Sequence, residues 1–301
     1  MSTDQFPEKS SGSSVYAYGD MNITKDIWVD ATSTVSWKFE SLSIGEGVSV
    51  HLPGKITVAN SFSVAANGTI DVTDLGTITV TDVFAAGSGA CIRGRLDVKG
   101  ACNIGSDTTI ASEVTSGGAV SIGAGAFFCS NINSNAACSL GANATVNGYI
   151  KCKGALTIGA GAHVNGDLFS TGGACTCGAN VVVQENVECA GACTLGAGSW
   201  VYGDVLSNGA CTLGANVKIL GDLGSASVVL GAGASIGLLT CDIYNCRNVF
   251  LPLPVEPVEP VEPVEPVEPV EPVEPVEPVE PVEPVEPELS WAQVAATVGP
   301  L

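Results

Sequence analysis

Ser139-Leu140-Gly141-Ala142 returns as Thr157-Ile158-Gly159-Ala160, then as Thr176-Cys177-Gly178-Ala179, Thr194-Leu195-Gly196-Ala197 and Thr212-Leu213-Gly214-Ala215. The spacing of the five glycines is constant but for one extra position between Gly159 and Gly178. A fixed period of about 18 residues marks a repeat architecture. Within one period, apolar or small residues fall in pairs spaced by two, and the pairs recur every six residues: Cys138/Leu140, Ala144/Val146, Ile150/Cys152, Leu156/Ile158, Ala162/Val164. Spacing by two places both members on one face of a strand. Between the pairs stand Ala142, Gly148, Gly154, Ala160 and Gly166, residues small enough for a tight corner. Each period therefore reads as one three-sided coil of three short strands, and stacked coils share a single core. Helix is excluded, because no apolar stripe follows a period of 3.6.

Outward from this stretch, strict sixes run from Ala90/Ile92 to Ala234/Ile236, with one insertion near Thr171-Gly173 and one deletion near Leu223-Ser227. Residues 48–80 keep the pairs but with wider gaps, as in Val48/Val50, Ile56/Val58, Phe62/Val64, Ile70/Val72 and Ile78/Val80. Ten or eleven coils are expected, stacked at about 4.8 Å each. Residues 1–14 are polar and read as a disordered arm. Residues 15–40 hold Tyr16, Tyr18, Trp28, Trp37 and Phe39 and read as an N-terminal cap or arm, since a solenoid end leaves its core open. The solenoid is expected over 41–253, its last residues from Cys241 serving as a C-terminal cap.

Residues 255–287 are eleven copies of Val-Glu-Pro. Proline at every third position excludes helix and sheet ladders and favours a polyproline II rod. The segment 254–287 reads as a linker and 288–301 as a docking peptide, in which Trp291, Val294, Ala295 and Val298 would share a helical face.

The formal charge is −20, but residues 254–301 hold 12 of the 31 acidic residues and none of the 11 basic ones, which leaves −8 on the rest. No basic patch suits nucleic acid or an anionic membrane. No apolar run is long enough for a transmembrane helix, and Met1 to Ser14 has no leader-like apolar core. A reducing cytoplasmic location is the expectation, with a virion or the cell surface as the alternative.

The 12 cysteines divide by register. Cys102, Cys138, Cys152, Cys175, Cys177, Cys189, Cys193 and Cys211 fall on inward positions, where Cys acts as a small core hydrophobe. No CxxC pair is present, and His51 and His163 are the only histidines, so no metal ligand set is expected. His163 faces outward and is read as solvated. Asp167, Asp204 and Asp222 form an outward column that reads as a solvated face, with a cation ladder as the alternative. Asn22, Asn67 and Asn143 begin N-x-T sequons, which matter only on a secreted chain. No catalytic constellation and no cofactor site can be placed. One outward face is uniform: Ala155/Thr157, Ala174/Thr176, Ala192/Thr194 and Ala210/Thr212 follow Ala137/Ser139 and Ala119/Ser121. It offers a flat, uncharged contact face for another rod or for an ordered lattice such as ice.

The unit from Leu156 through Gly159, Val164, Gly166 and Asp167 to Leu168, which recurs at Leu140 to Ile150, Leu195 to Val205 and Leu213 to Leu223, resembles the repeat of bactofilins, polymer-forming proteins of the bacterial cytoskeleton. The resemblance covers roughly residues 90–240. It implies a triangular right-handed β-helix, end-to-end assembly without nucleotide, and proline-containing tails. The same hexads are similar to those of hexapeptide-repeat acyltransferases, which use a catalytic histidine and a loop excursion that these rungs do not offer. The expected fold is thus all-β, a triangular parallel β-solenoid with a disordered polyproline tail. The expected function is that of a non-enzymatic, self-associating scaffold or filament with a C-terminal peptide for a protein partner. A surface- or ice-binding solenoid, or a virion or extracellular fibre component, is the alternative.

Overall fold

The computed structural model describes residues 9–10, 14–31, 35–72 and 76–239. Every strand between residues 14 and 239 pairs in parallel with the strand one coil away. Cys138–Leu140 lies on Leu156–Ile158, which lies on Cys175–Cys177. Thr145–Val146 lies on His163–Val164, and Ile150–Cys152 on Leu168–Ser170. Three strands per coil thus build three sheets: sheet I through Leu156–Ile158, sheet II through His163–Val164 and sheet III through Leu168–Ser170. The solenoid has about 12 turns of about 18 residues, with no helix among the described residues. The turns beyond the ten or eleven expected come from the aromatic segment. Ser14–Tyr18 and Val35–Phe39 are paired rungs of sheet III, and Met21–Ile23 is a rung of sheet I.

Alternation explains the core. In Cys138–Leu140, Leu156–Ile158 and Ile150–Cys152 the outer residues are buried and the central one exposed. One continuous apolar cluster runs from Met21 to Val228. The irregularities expected from the hexads fall where expected: Leu156 pairs with Cys175 rather than Ala174, and the register shifts between Ser207 and Ala210 against Ser225 and Ser227.

Two further columns hold the coils in register. The corner between sheets I and II needs a left-handed residue. Its occupants alternate strictly as Gly89, Asp107, Gly125, Asn143, Gly161, Asn180, Gly198, Asn216 and Gly233, all at φ between 56° and 71°. Asn and Asp tolerate this conformation better than other side-chain-bearing residues. The alternation has a packing cause, because the Asn143 Oδ1 occupies the space that a Cβ on Gly161 would need, and Asn180 does the same above Gly198. The true repeat at this corner is two coils. At the end of sheet III, Ser134, Ser170 and Ser207 point inward and donate to the carbonyls of Gly118, Gly154 and Gly191 at 2.8–3.0 Å.

Candidate interaction surfaces

The Ala/Thr face is the outside of sheet I. Thr157, Thr176, Thr194 and Thr212 stand in register on adjacent coils. Thr157, Thr176 and Thr212 are exposed and Thr194 is half-buried. Ala155, Ala192 and Ala210 are exposed and Ala174 is half-buried. The carbonyls of Ala155, Ala174 and Ala192 accept backbone N–H bonds from Cys138, Leu156 and Cys175 at 2.9–3.0 Å, which anchors the strip to the ladder.

The pairing extends this strip far beyond six coils. The same outward column reads Asn22, Ser43, Ser63, Ala85, Asn103, Ser121 and Ser139 before the threonines, and Val229 after them. Among the described residues, no charged side chain occurs in it. The charges sit elsewhere. Asp97, Lys151 and Glu188 project from sheet III, and Asp71, Arg93 and Lys218 from sheet II. Asn22, Ser43 and Ser63 escaped the hexad pattern because the first coils are longer and shift the column out of step.

All eight cysteines placed inward are buried, whereas Cys91 is half-buried and Cys129 exposed. Burial pushes Cys102 up to about 12. Cys138 is also raised, by burial first and then by Cys152 and Cys102. Cys152 and Cys189 occupy the inward serine column, between Ser134, Ser170 and Ser207. Cys152 donates to Gly154 O at 3.1 Å as the serines do. The neighbouring Cys175 and Cys193 thiols hold the Cys189 thiol below its ordinary range.

The Asp167 column has a structural role. Asp167 Oδ1 accepts the backbone N–H of Asn186 at 3.0 Å; Asn186 Oδ1 accepts that of Asp204, and Asp204 Oδ1 that of Asp222, each at 2.8 Å. Each side chain satisfies the corner amide of the next coil. His163 is half-buried, with its Nε2 3.4 Å from Gln184 Nε2. Asn67 and Asn143 are exposed left-handed corner residues. Trp291, Val294, Ala295 and Val298, with the whole Val-Glu-Pro segment, lie outside the described residues. Among those described, no group of three or more His, Cys, Asp or Glu is placed to hold a metal ion, and no helix is long and apolar enough to cross a membrane.

No family model, curated protein or solved structure matches the chain.

Proposed function

We propose that the chain is a non-enzymatic structural protein, a bactofilin-like solenoid that associates with copies of itself. The observation that carries this reading is the outer face of sheet I. Its central column is uncharged from Asn22 to Val229, although the body carries a formal −8. Charges are the usual means of keeping β-surfaces from sticking to one another, and this column lacks them in every described coil. Flat rows of Ala and Thr at a ~4.8 Å rise suit side-by-side packing of two rods. Parallel ladders also suit end-to-end addition, since the terminal rungs of one rod can template the first rungs of the next. The acidic Val-Glu-Pro segment would act as a tether for a C-terminal peptide that docks on a protein partner.

Electron microscopy of the purified full-length chain tests this directly. Filaments or bundles are expected, and a charge-bearing Thr176→Glu/Thr194→Glu variant should lose lateral bundling. Short single rods at all concentrations would end the proposal. A second reading, adsorption to an ice-like lattice, is favoured by the registered row of Thr157, Thr176, Thr194 and Thr212. Thermal hysteresis measures it, and none is expected if the strip serves self-association.

A further inference from the structure

On the outside of sheet II, the first four coils bring together side chains whose arrangement the solenoid core does not require. Trp28, His51, Asp71 and Arg93 form one column across successive rungs. They line, with Asp26 and Thr69 among others, a cleft of about 440 Å³, within the ~300–1,000 Å³ range of small-molecule sites. Trp28 is 70% exposed. One indole face is covered by the His51 ring, parallel within 7° at a centroid distance of 3.8 Å. The platform is therefore held in place before any ligand arrives, which lowers the ordering cost of binding. His51 is 8% exposed and its Nδ1 makes no hydrogen bond. Asp71 Oδ2 stands 3.5 Å from that nitrogen and 3.6 Å from Arg93 Nη1, too far for good bonds to either. Gaps of this size between polar groups suit a bridging hydroxyl. The Arg93 side chain is 60% exposed and keeps donors for a ligand.

We propose that this cleft binds a neutral saccharide. The C–H face of one pyranose ring would lie on the outer face of Trp28, with ring hydroxyls bridging Asp71 and Arg93. An indole plate beside mixed donors and acceptors matches a ring that is apolar on its faces and hydroxylated at its edge. Phosphate and other strong anions are disfavoured by the two carboxylates, Asp26 and Asp71, beside a single guanidinium. Compact cations are disfavoured by that guanidinium. The site lies on a different sheet from the uncharged strip, so it is independent of side-by-side packing through that strip.

The test is saturation-transfer NMR of the full-length chain with cellobiose, maltose, lactose, N,N′-diacetylchitobiose and a galacturonate dimer. At least one neutral disaccharide is expected to take up saturation on its ring C–H protons. Trp28→Ala should weaken it by about tenfold or more, Trp28→Phe by less, and Trp200→Ala not at all. Because Trp28 is 70% exposed and outside the core, circular dichroism should not move in the Trp28 variants, and the melting temperature should fall only slightly with the lost stack on His51. No binding by any of the four neutral sugars, binding of the uronate alone, or binding that survives Trp28→Ala would each overturn the proposal.

Discussion

The coils before residue 90 and those after it solve one packing problem in two ways. Successive partners in sheet I are Met21, Leu42, Phe62 and Phe84, set at wide and uneven intervals of chain. From Phe84 through Cys102 and Val120 to Cys138 the interval is shorter and constant. The longer turns close around larger side chains, with Trp37, Phe39, Phe62 and Phe84 all buried. The shorter turns close around Leu, Ile, Val, Ala and Cys, with Phe128 as the one fully buried ring among the described residues there. Coil length and core volume thus vary together. The oppositely charged contacts found among the described residues cluster around the junction of the two regions, from His51–Asp71 through Arg93–Asp71 and Lys99–Asp97 to Arg95–Glu113, and none lies beyond Glu113. The later coils rely instead on repeated backbone-directed bonds from Ser, Asn and Asp.

If the aromatic core holds the first region, Trp37→Ala is the change that should hurt most. Trp37 has no exposed surface, stacks on Tyr16 at 4.9 Å, and donates its indole N–H to Pro53 O at 2.9 Å. Emptying such a site costs about 3–5 kcal/mol. In a solenoid each coil contacts only its neighbours, so the loss should stay regional. Hydrogen exchange should show protection falling in the rungs up to Phe84 while those beyond Cys138 keep theirs. Equal loss along the rod would mean that the two regions melt as one unit.

The contrast between the regions also decides how much could be read from the chain itself. Where coils keep one length, hexad counting places Cys138, Leu156 and Cys175 inward and the Ala/Thr strip outward, because every residue on a face repeats at a constant interval. The interval fails earlier. Trp28, His51, Asp71 and Arg93 are separated by three unequal stretches of chain, so no fixed period aligns them and the cleft is invisible in one dimension. The Gly/Asn alternation was hidden for another reason. Asn and Gly are both acceptable at a left-handed corner, and only the contact between coils explains why they take turns. Ser134 and Ser170 look like polar surface residues until the neighbouring glycine carbonyls are seen.

The two-coil period in the regular region can be broken at one corner. Gly161→Ala forces a Cβ into a left-handed backbone, at φ 69°, and against Asn143 Oδ1. A strained position of this kind costs about 1–3 kcal/mol. Asn143→Gly removes the obstructing side chain, so Gly161→Ala in that background should cost only the backbone part, about 1–2 kcal/mol. Urea midpoints of the four proteins form a double-mutant cycle. Additive effects would show that the alternation is not a contact between coils.

Alkali should separate the regions most gently, because buried thiols belong to one of them. The described coils before Cys102 contain no fully buried cysteine, and Cys91 is only half-buried. Cys102 is pushed from the usual 9.0 up to about 12 by burial, so the fold favours its neutral form. Its contribution is complete below pH 9, where the thiol is protonated folded or unfolded. Above pH 9 the unfolded chain releases the proton first, and stability is lost progressively until the folded thiol also ionises near 12. The slope is about 1.4 kcal/mol per pH unit for one such thiol. Between pH 9 and 10 the aromatic region should hold, because Tyr18, raised by burial and by Tyr16, starts to cost stability only as the pH passes its ordinary value of 10.0, where the unfolded phenol ionises. Over that window the urea midpoint of the wild-type chain should fall, with amide protection lost first beyond Gly100. Cys102→Val, close in volume and without a proton to lose, should flatten the fall by about that one-thiol slope. If the variant and the wild type decline in parallel, ionisation of Cys102 is not what loosens the regular coils.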